Sequence, residues 1–204
     1  MKSKIVLTSA AALLVSVAGA NALEYRPFVG ATLGLQGAVY SDHAKDIERA
    51  AHIDFPTDFF VFGLETGVRA GAYNEIYNGG VTFSVTKTTY SDVKEKYVDT
   101  RVASADLFNM AITYDNYIRI SGDKDSRIDL VLGAGFGTMA YHIDPVGEKS
   151  ETIWSVAPEF KVGMDFQLTE NVTLAATGRA IIPTRSHYDM DMSYIVGGAV
   201  KYLF

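Results

Sequence analysis

The sequence contains no cysteine among its 204 residues. This absence excludes disulfide bonds, zinc sites with cysteine ligands and thiol catalysis together. After the first 22 residues, no stretch approaches 18 consecutive apolar residues, so we expect no transmembrane helix there. If this chain lies in a membrane, it must do so as a closed β-barrel, because only helices and closed barrels satisfy every backbone polar group in lipid.

A surplus of basic residues is also missing. The formal net charge is -6, and it becomes -8 for residues 23–204, because the first 22 residues contain two lysines and no acid. Nucleic-acid binding needs a basic patch that releases counterions from the phosphates. We therefore expect no nucleic-acid partner.

Residues 1–22 have the layout of a secretory signal peptide. Two lysines precede an apolar run over residues 5–18, and the small residues that end the segment fit the rule for cleavage. We predict that the mature chain starts at Leu23; cleavage after Ala20, or an uncleaved N-terminal anchor, are the alternatives. Residues 23–204 are predicted to form a single domain.

The clearest structural pattern lies in residues 153–168, where apolar even-numbered residues alternate with polar or small odd-numbered residues. A period of two is typical of a β-strand with one apolar and one polar face. The segment is also longer than the usual five or six residues of strands in soluble sheets. Seven further segments show the same alternation with varying fidelity: residues 28–39, 59–72, 81–89, 102–114, 128–141, 172–182 and 194–204.

Eight such strands predict an all-β fold, an eight-stranded antiparallel transmembrane up-and-down β-barrel. Alternation alone also fits a soluble sandwich or periplasmic barrel that binds a small apolar ligand. In the strand 102–114, Asp106 falls on the apolar face, which indicates either a β-bulge or a position above the lipid.

The connections between these strands sort into two sets. The predicted outer loops are residues 40–58, 90–100, 142–152 and 183–191, and the predicted periplasmic turns are residues 73–79, 115–126 and 169–171. Outer loops of such barrels are longer than periplasmic turns. A short helix is expected over residues 43–52, and nothing in the sequence explains the length of the turn 115–126.

Charged residues also occur on the predicted inward faces. They are Glu65, Arg69, Asp129, Glu159, Lys161, Asp165, Arg179 and Lys201. The interior of an eight-stranded barrel is only wide enough for side chains, and buried charges must be paired. We therefore expect a structural ion-pair network that fills the interior; a proton path or pore lining is the alternative.

The C-terminus places apolar residues at every second position and ends on an aromatic residue, at Val196, Gly198, Val200, Tyr202 and Phe204. This pattern resembles the β-signal of bacterial outer-membrane proteins. With Leu-Phe-Asn at 107–109, GAGFG at 133–137 and eight strands, the chain resembles the opacity-type or OmpA-like eight-stranded outer-membrane barrels. The resemblance implies a location in the outer membrane of a Gram-negative bacterium.

Several partners follow from the same resemblance. It implies contact with outer-membrane lipid and lipopolysaccharide, and passage through periplasmic chaperones and the barrel-assembly machinery. The resembling family contains adhesins, envelope-stabilising proteins and a few enzymes. We expect a non-enzymatic protein that presents its outer loops for surface interaction or envelope integrity; a lipid-modifying enzyme and a small porin are the alternatives.

The other candidate sites in the sequence each lack part of what the corresponding chemistry requires. His43, His52, His142 and His187 lie in predicted outer loops or at strand ends, and Ser186 beside His187 would be the nearest candidate nucleophile. The glycines at 133–137 lack the following helix that a dinucleotide site requires. Three aspartates at 123, 125 and 129 lack the glycine and distal glutamate of a calcium loop. We predict no catalytic residue, no cofactor and no metal.

Overall fold

The computed structural model describes residues 24–71, 76–97, 100–122, 126–184 and 190–204. Its elements are β1 (Glu24–Tyr40), α1 (Asp42–Ala51), β2 (Ile53–Asp54), β3 (Asp58–Gly71), β4 (Tyr77–Thr88), β5 (Ser91–Glu95), β6 (Arg101–Ser121), β7 (Ile128–Pro145), β8 (Glu151–Gln167), β9 (Val172–Ile181) and β10 (Met190–Leu203). The predicted signal peptide lies outside the described residues and stays a prediction.

Eight of these strands close into a ring in which every neighbouring pair is antiparallel. The order around the ring is β1, β3, β4, β6, β7, β8, β9 and β10, and β10 pairs with β1 to complete it. The short strands β2 and β5 stand outside the ring order, because β5 pairs with the start of β6 and β2 pairs with β5. The predicted eight-stranded barrel is confirmed. Among the described residues, no α-helix is long and apolar enough to span a membrane.

The alternation predicted from the sequence decides which side of each strand faces the interior. Along β8, Phe160 and Val162 are each 53% exposed on the outside, whereas Glu159 and Lys161, which alternate with them, are buried inside. The outward residues of the other ring strands form a continuous apolar belt in the same way. A soluble sandwich with an apolar core and a wetted polar face would show the reverse, so the ring is a transmembrane barrel.

The two ends of the barrel differ. One end, which we call the cap end, carries α1, β2, β5 and the connection at residues 146–150. The opposite end, which we call the terminal end, carries Glu24, Phe204 and the short turn at 168–171. The cap end therefore corresponds to the predicted outer loops and the terminal end to the predicted turns.

The helix α1 matches the helix predicted over residues 43–52. Ser41 accepts a hydrogen bond from the backbone N–H of Ala44 at its start, and His52 ends it in a left-handed conformation, with φ of 55°. Asn, Asp and His adopt this conformation more readily than other non-glycine residues. The Glu48 carboxylate accepts from the backbone N–H of Phe55 at 2.9 Å, which fixes the chain that returns from α1 to the barrel.

One predicted connection is wrong. The sequence predicts a turn over residues 115–126, but β6 continues through this segment to Ser121 and pairs with β4 and β7 over most of that length. For instance, Asp115 lies opposite Gly133, and Tyr117 lies opposite Val131. The connection between β6 and β7 is therefore short, because most of the predicted turn belongs to β6.

Candidate functional site

The charged residues predicted to face inward meet in the terminal half of the barrel. Arg179 lies at the centre of one cluster, with one guanidinium nitrogen 3.1 Å from a carboxylate oxygen of Glu65 and another 3.5 Å from Glu159. Lys201 joins the same cluster, 3.6 Å from Glu65 and 3.0 Å from Asp165. Each of these side chains is at most 5% exposed. The strands β3, β8, β9 and β10 are thereby tied together across the interior.

A second pair, Asp115 with Lys161, contains a residue that the sequence analysis missed. The Lys161 ammonium lies 2.8 Å from the Asp115 carboxylate, and both side chains are at most 1% exposed. Thr82 and Thr113 donate further hydrogen bonds to Asp115 at 2.7 and 2.9 Å. This carboxylate is therefore held by three donors from three other positions in the sequence.

The third part of the network lies nearest the terminal end. Arg69 and Arg127 bind the two oxygens of Asp129, at 2.8 and 2.6 Å, and the Arg69 guanidinium also lies 4.5 Å from the centre of the Tyr117 ring. Arg127 was not predicted, because it precedes the alternating part of β7. It occupies the same parity as Asp129, and this signal could have identified it.

Together these residues balance in charge. The carboxylates are Glu65, Asp115, Asp129, Glu159 and Asp165, and the cations are Arg69, Arg127, Lys161, Arg179 and Lys201. Glycine makes room for them at two close approaches. A Cβ on Gly30 would lie 3.1 Å from the side chains of both Glu65 and Lys201, and a Cβ on Gly133 would collide with the Asp115 carboxylate.

The cap half of the interior has a different composition, since it contains a cluster of buried apolar side chains. Its buried cluster includes Phe59, Val61, Leu107, Tyr141 and Ile195 among others, and Ala44 of α1 and Phe55 belong to the same cluster. Barrel and cap therefore share one continuous core.

Comparison with known proteins gives a likeness in structure alone. No protein-family profile and no curated protein matches the sequence. Among solved structures, Neisserial surface protein A is similar with a TM-score of 0.55, at 12% identity over 90% of this chain and 100% of that one. The attachment invasion locus protein Ail of Yersinia pestis, solved with the heparin analogue sucrose octasulfate, gives 0.50 at 17% identity, covering 90% and 99%. A major outer membrane protein from Thermus thermophilus gives 0.50 at 12% identity, covering 88% and 99%.

The fold is that of an eight-stranded outer-membrane β-barrel. Identities this low support the architecture and carry no activity across. The function of this outer-membrane barrel depends on its own side chains.

The residues predicted as a C-terminal assembly signal lie on the outside of β10. Val196, Val200, Tyr202 and Phe204 are 61%, 54%, 47% and 67% exposed. The backbone N–H of Phe204 donates to the carbonyl of Pro27 at 2.9 Å, and its ring meets that of Tyr202 edge to face at 5.1 Å. These residues thus line the strand that closes the ring, at the terminal end.

The three histidines that the structure describes lie at separate places. His43 lies on α1, His52 caps that helix and His142 lies on the outward face of β7, while His187 and Ser186 lie outside the described residues. In the described part of the chain, no group of three or more potential metal ligands comes together. Asp129, the one described aspartate of the three weighed as a calcium loop, is bound by two arginines.

Proposed function

We propose that this chain is a non-enzymatic protein of the bacterial outer membrane that presents its cap end outward for surface interaction. The continuous core carries this proposal, because it fills the cap half of the barrel and joins α1 and Phe55 to it. A barrel whose interior is occupied by paired charges and apolar side chains has its cap end available for contact with partners. Envelope integrity is the alternative role for the same arrangement.

The chemistry of the cap narrows the kind of partner. Residues 41–57 carry four acidic side chains and two basic ones. Their acidic surplus repels a polyanion. A sulfated sugar such as the one bound to Ail in its crystal is therefore not the partner we propose. A partner with a basic or neutral surface fits this cap better.

The orientation can be tested because the chain has no cysteine. We expect Ala50→Cys on α1 to react with a membrane-impermeant maleimide in intact cells, whereas Glu170→Cys in the opposite turn reacts only after lysis. Both positions are exposed in the structure, so they are matched in accessibility. Labelling of Glu170→Cys alone in intact cells would contradict the proposed orientation.

The filled interior predicts little conductance. Charged side chains pair across the terminal half of the interior, and an apolar cluster occupies the cap half. Together they leave little room for a continuous water column. We expect purified protein in planar bilayers to show at most small, flickering currents. Steady, porin-like currents would favour the small porin instead.

We also propose that Phe204 is read by the barrel-assembly machinery after export, with periplasmic chaperones escorting the chain. Phe204→Ala should sharply reduce the amount of heat-modifiable protein in the outer membrane. Phe136→Ala is the matched control, because that ring is 70% exposed on the same outward face yet lies far from the C-terminus. If both variants assemble to equal amounts, the C-terminal signal is not at this residue.

A further inference from the structure

Asn116 is an exposed polar residue on the outward face of β6. Toward the cap end, the outward series continues with Tyr114 and Ile112, which are 56% and 58% exposed. Toward the terminal end it continues with Ile118 and then Ile120, which is 58% exposed. The four residues from Asn116 to Ile120 cover about 10 Å of membrane depth in a tilted strand. Asn116 therefore lies within the apolar belt rather than beyond its border.

Other polar residues on the outward face have partners within the chain. Thr66 on β3 donates a hydrogen bond to the carbonyl of Phe28 at 2.9 Å. Lys87 on β4 lies 3.4 Å from the Asp106 carboxylate, and the pairing of β6 with β7 continues unshifted through Asp106, so that residue marks no bulge. In contrast, the Asn116 carboxamide makes no hydrogen bond to any residue that the structure describes.

The position of this carboxamide is therefore costly. A polar group that faces hydrocarbon without a hydrogen-bond partner loses the free energy of its hydration, and polar residues of this kind commonly mark function. A lysine at this depth could extend its long side chain to the headgroups, but asparagine is too short to do so. Asn116 therefore requires a partner that lies inside the membrane.

The Tyr114 hydroxyl lies beside Asn116. Gly79 on β4 is the pairing partner of Asn116, and a Cβ on Gly79 would lie 2.5 Å from the Tyr114 hydroxyl oxygen. This hydroxyl also makes no hydrogen bond to a described residue. Around the two groups, Val81 and Leu132 are each 42% exposed and supply apolar surface. The outward face of β4, β6 and β7 thus carries two neighbouring hydrogen-bonding groups in an apolar surround.

We propose that this face of the barrel binds a second copy of the chain within the membrane. Two copies that are inserted in the same direction place residues of equal depth opposite one another. In a two-fold dimer each contact occurs twice, so the carboxamide of Asn116 in each copy accepts from the Tyr114 hydroxyl of the other copy. Both unpartnered groups are then hydrogen-bonded, and the apolar residues around them exclude lipid from the contact.

A second copy suits this face better than a lipid molecule. Lipid headgroups lie outside the hydrocarbon, whereas a second barrel supplies a hydroxyl and a carboxamide at the required depth. The inference goes beyond the proposed presentation of the cap end. It requires a barrel in a membrane but neither a surface partner nor a particular orientation, so the cysteine labelling described above can fail without affecting it.

Self-association can be measured by Förster energy transfer between copies reconstituted in lipid vesicles, with donor or acceptor dye on Ala50→Cys. We expect energy transfer to rise saturably with the protein-to-lipid ratio. Adding Asn116→Leu or Tyr114→Phe should raise the apparent dissociation constant at least tenfold. Tyr194→Phe on β10 is the matched control, because Tyr194 is 40% exposed on the opposite side of the barrel and also leans over a glycine, Gly37. Heat-modifiable gel mobility verifies that each variant is folded.

Cross-linking in isolated outer membranes locates the contact. Ile120→Cys, on the same strand as Asn116, should form dimers with a short bifunctional maleimide. Leu168→Cys at the end of β8 should not, although the two native residues are similarly exposed, at 58% and 55%. Adding Asn116→Leu to Ile120→Cys should remove most of the cross-linked dimer.

Three results would each overturn the proposal. The first is wild-type protein that shows no energy transfer above that of randomly placed monomers. The second is undiminished self-association in both Asn116→Leu and Tyr114→Phe. The third is equal cross-linking through Ile120→Cys and Leu168→Cys, because the copies would then touch without a preferred face.

Discussion

Replacing Lys161 with Met is expected to lower the free energy of unfolding by about 3–5 kcal/mol. The substitution keeps much of the side-chain volume but leaves the Asp115 carboxylate, which is 0% exposed, without its cation. The hydrogen bonds from Thr82 and Thr113 remain, yet they do not neutralise a buried charge. Equilibrium unfolding in urea, with the protein reconstituted in lipid vesicles, measures the loss.

The partner residue provides the decisive control. Adding Asp115→Asn to Lys161→Met removes the orphaned charge and keeps an amide oxygen as acceptor for one of the two threonine hydroxyls, which bind different oxygens of Asp115, so most of the stability should return. Lys45→Met on α1 breaks an ion pair whose side chains are 51% and 99% exposed, and it should cost little or nothing. If the double variant is no more stable than Lys161→Met, the pair does not act as the structure implies.

Phe160→Arg should destabilise the inserted barrel by about 2–4 kcal/mol. Phe160 lies about halfway along the outward face of β8, between Trp154 at one border of the belt and Leu168 at the other. Its arginine would therefore meet the middle of the hydrocarbon, where a charge is most costly. Unfolding of vesicle-reconstituted protein in urea reports this loss.

An arginine at a different depth in the membrane is the internal control for Phe160→Arg. Leu168→Arg, at the terminal-end border, should cost only about 0–1 kcal/mol. Ala50→Arg on exposed α1 adds the same side chain in water and should have little effect. Equal losses at Phe160 and Leu168 would mean that the outward face of β8 does not cross the hydrocarbon.

The barrel could be predicted from the sequence because lipid requires an apolar outward face on each strand. Each strand has one apolar face and one polar face. The period of two then decides which face a residue such as Phe160 or Glu159 occupies. The same rule applied further along β6 would have found Asp115, which continues the inward series of Asn109 and Thr113. The polar pair Asp115-Asn116 interrupts the apolar outward series and favours a turn instead.

The apolar core of the cap half was harder to predict for a related reason. At Phe59 and Val61 both faces of β3 are apolar, because one meets lipid and the other belongs to the buried apolar cluster of the cap half. Alternation of polarity disappears there. The contact between His142 and Thr152 could not be predicted from the sequence, because it depends on the register of β7 against β8.

The closing of β10 against β1 has a consequence for how the protein is made. Gln36 and Ser193, which are hydrogen-bonded across this seam, lie 157 positions apart in the chain. Contacts of such long sequence separation form slowly and cannot form before β10 has been synthesised. Until then each partial sheet has two open edges and an apolar face, both of which promote aggregation. The ring is therefore completed only once β10 has been made and can pair with β1.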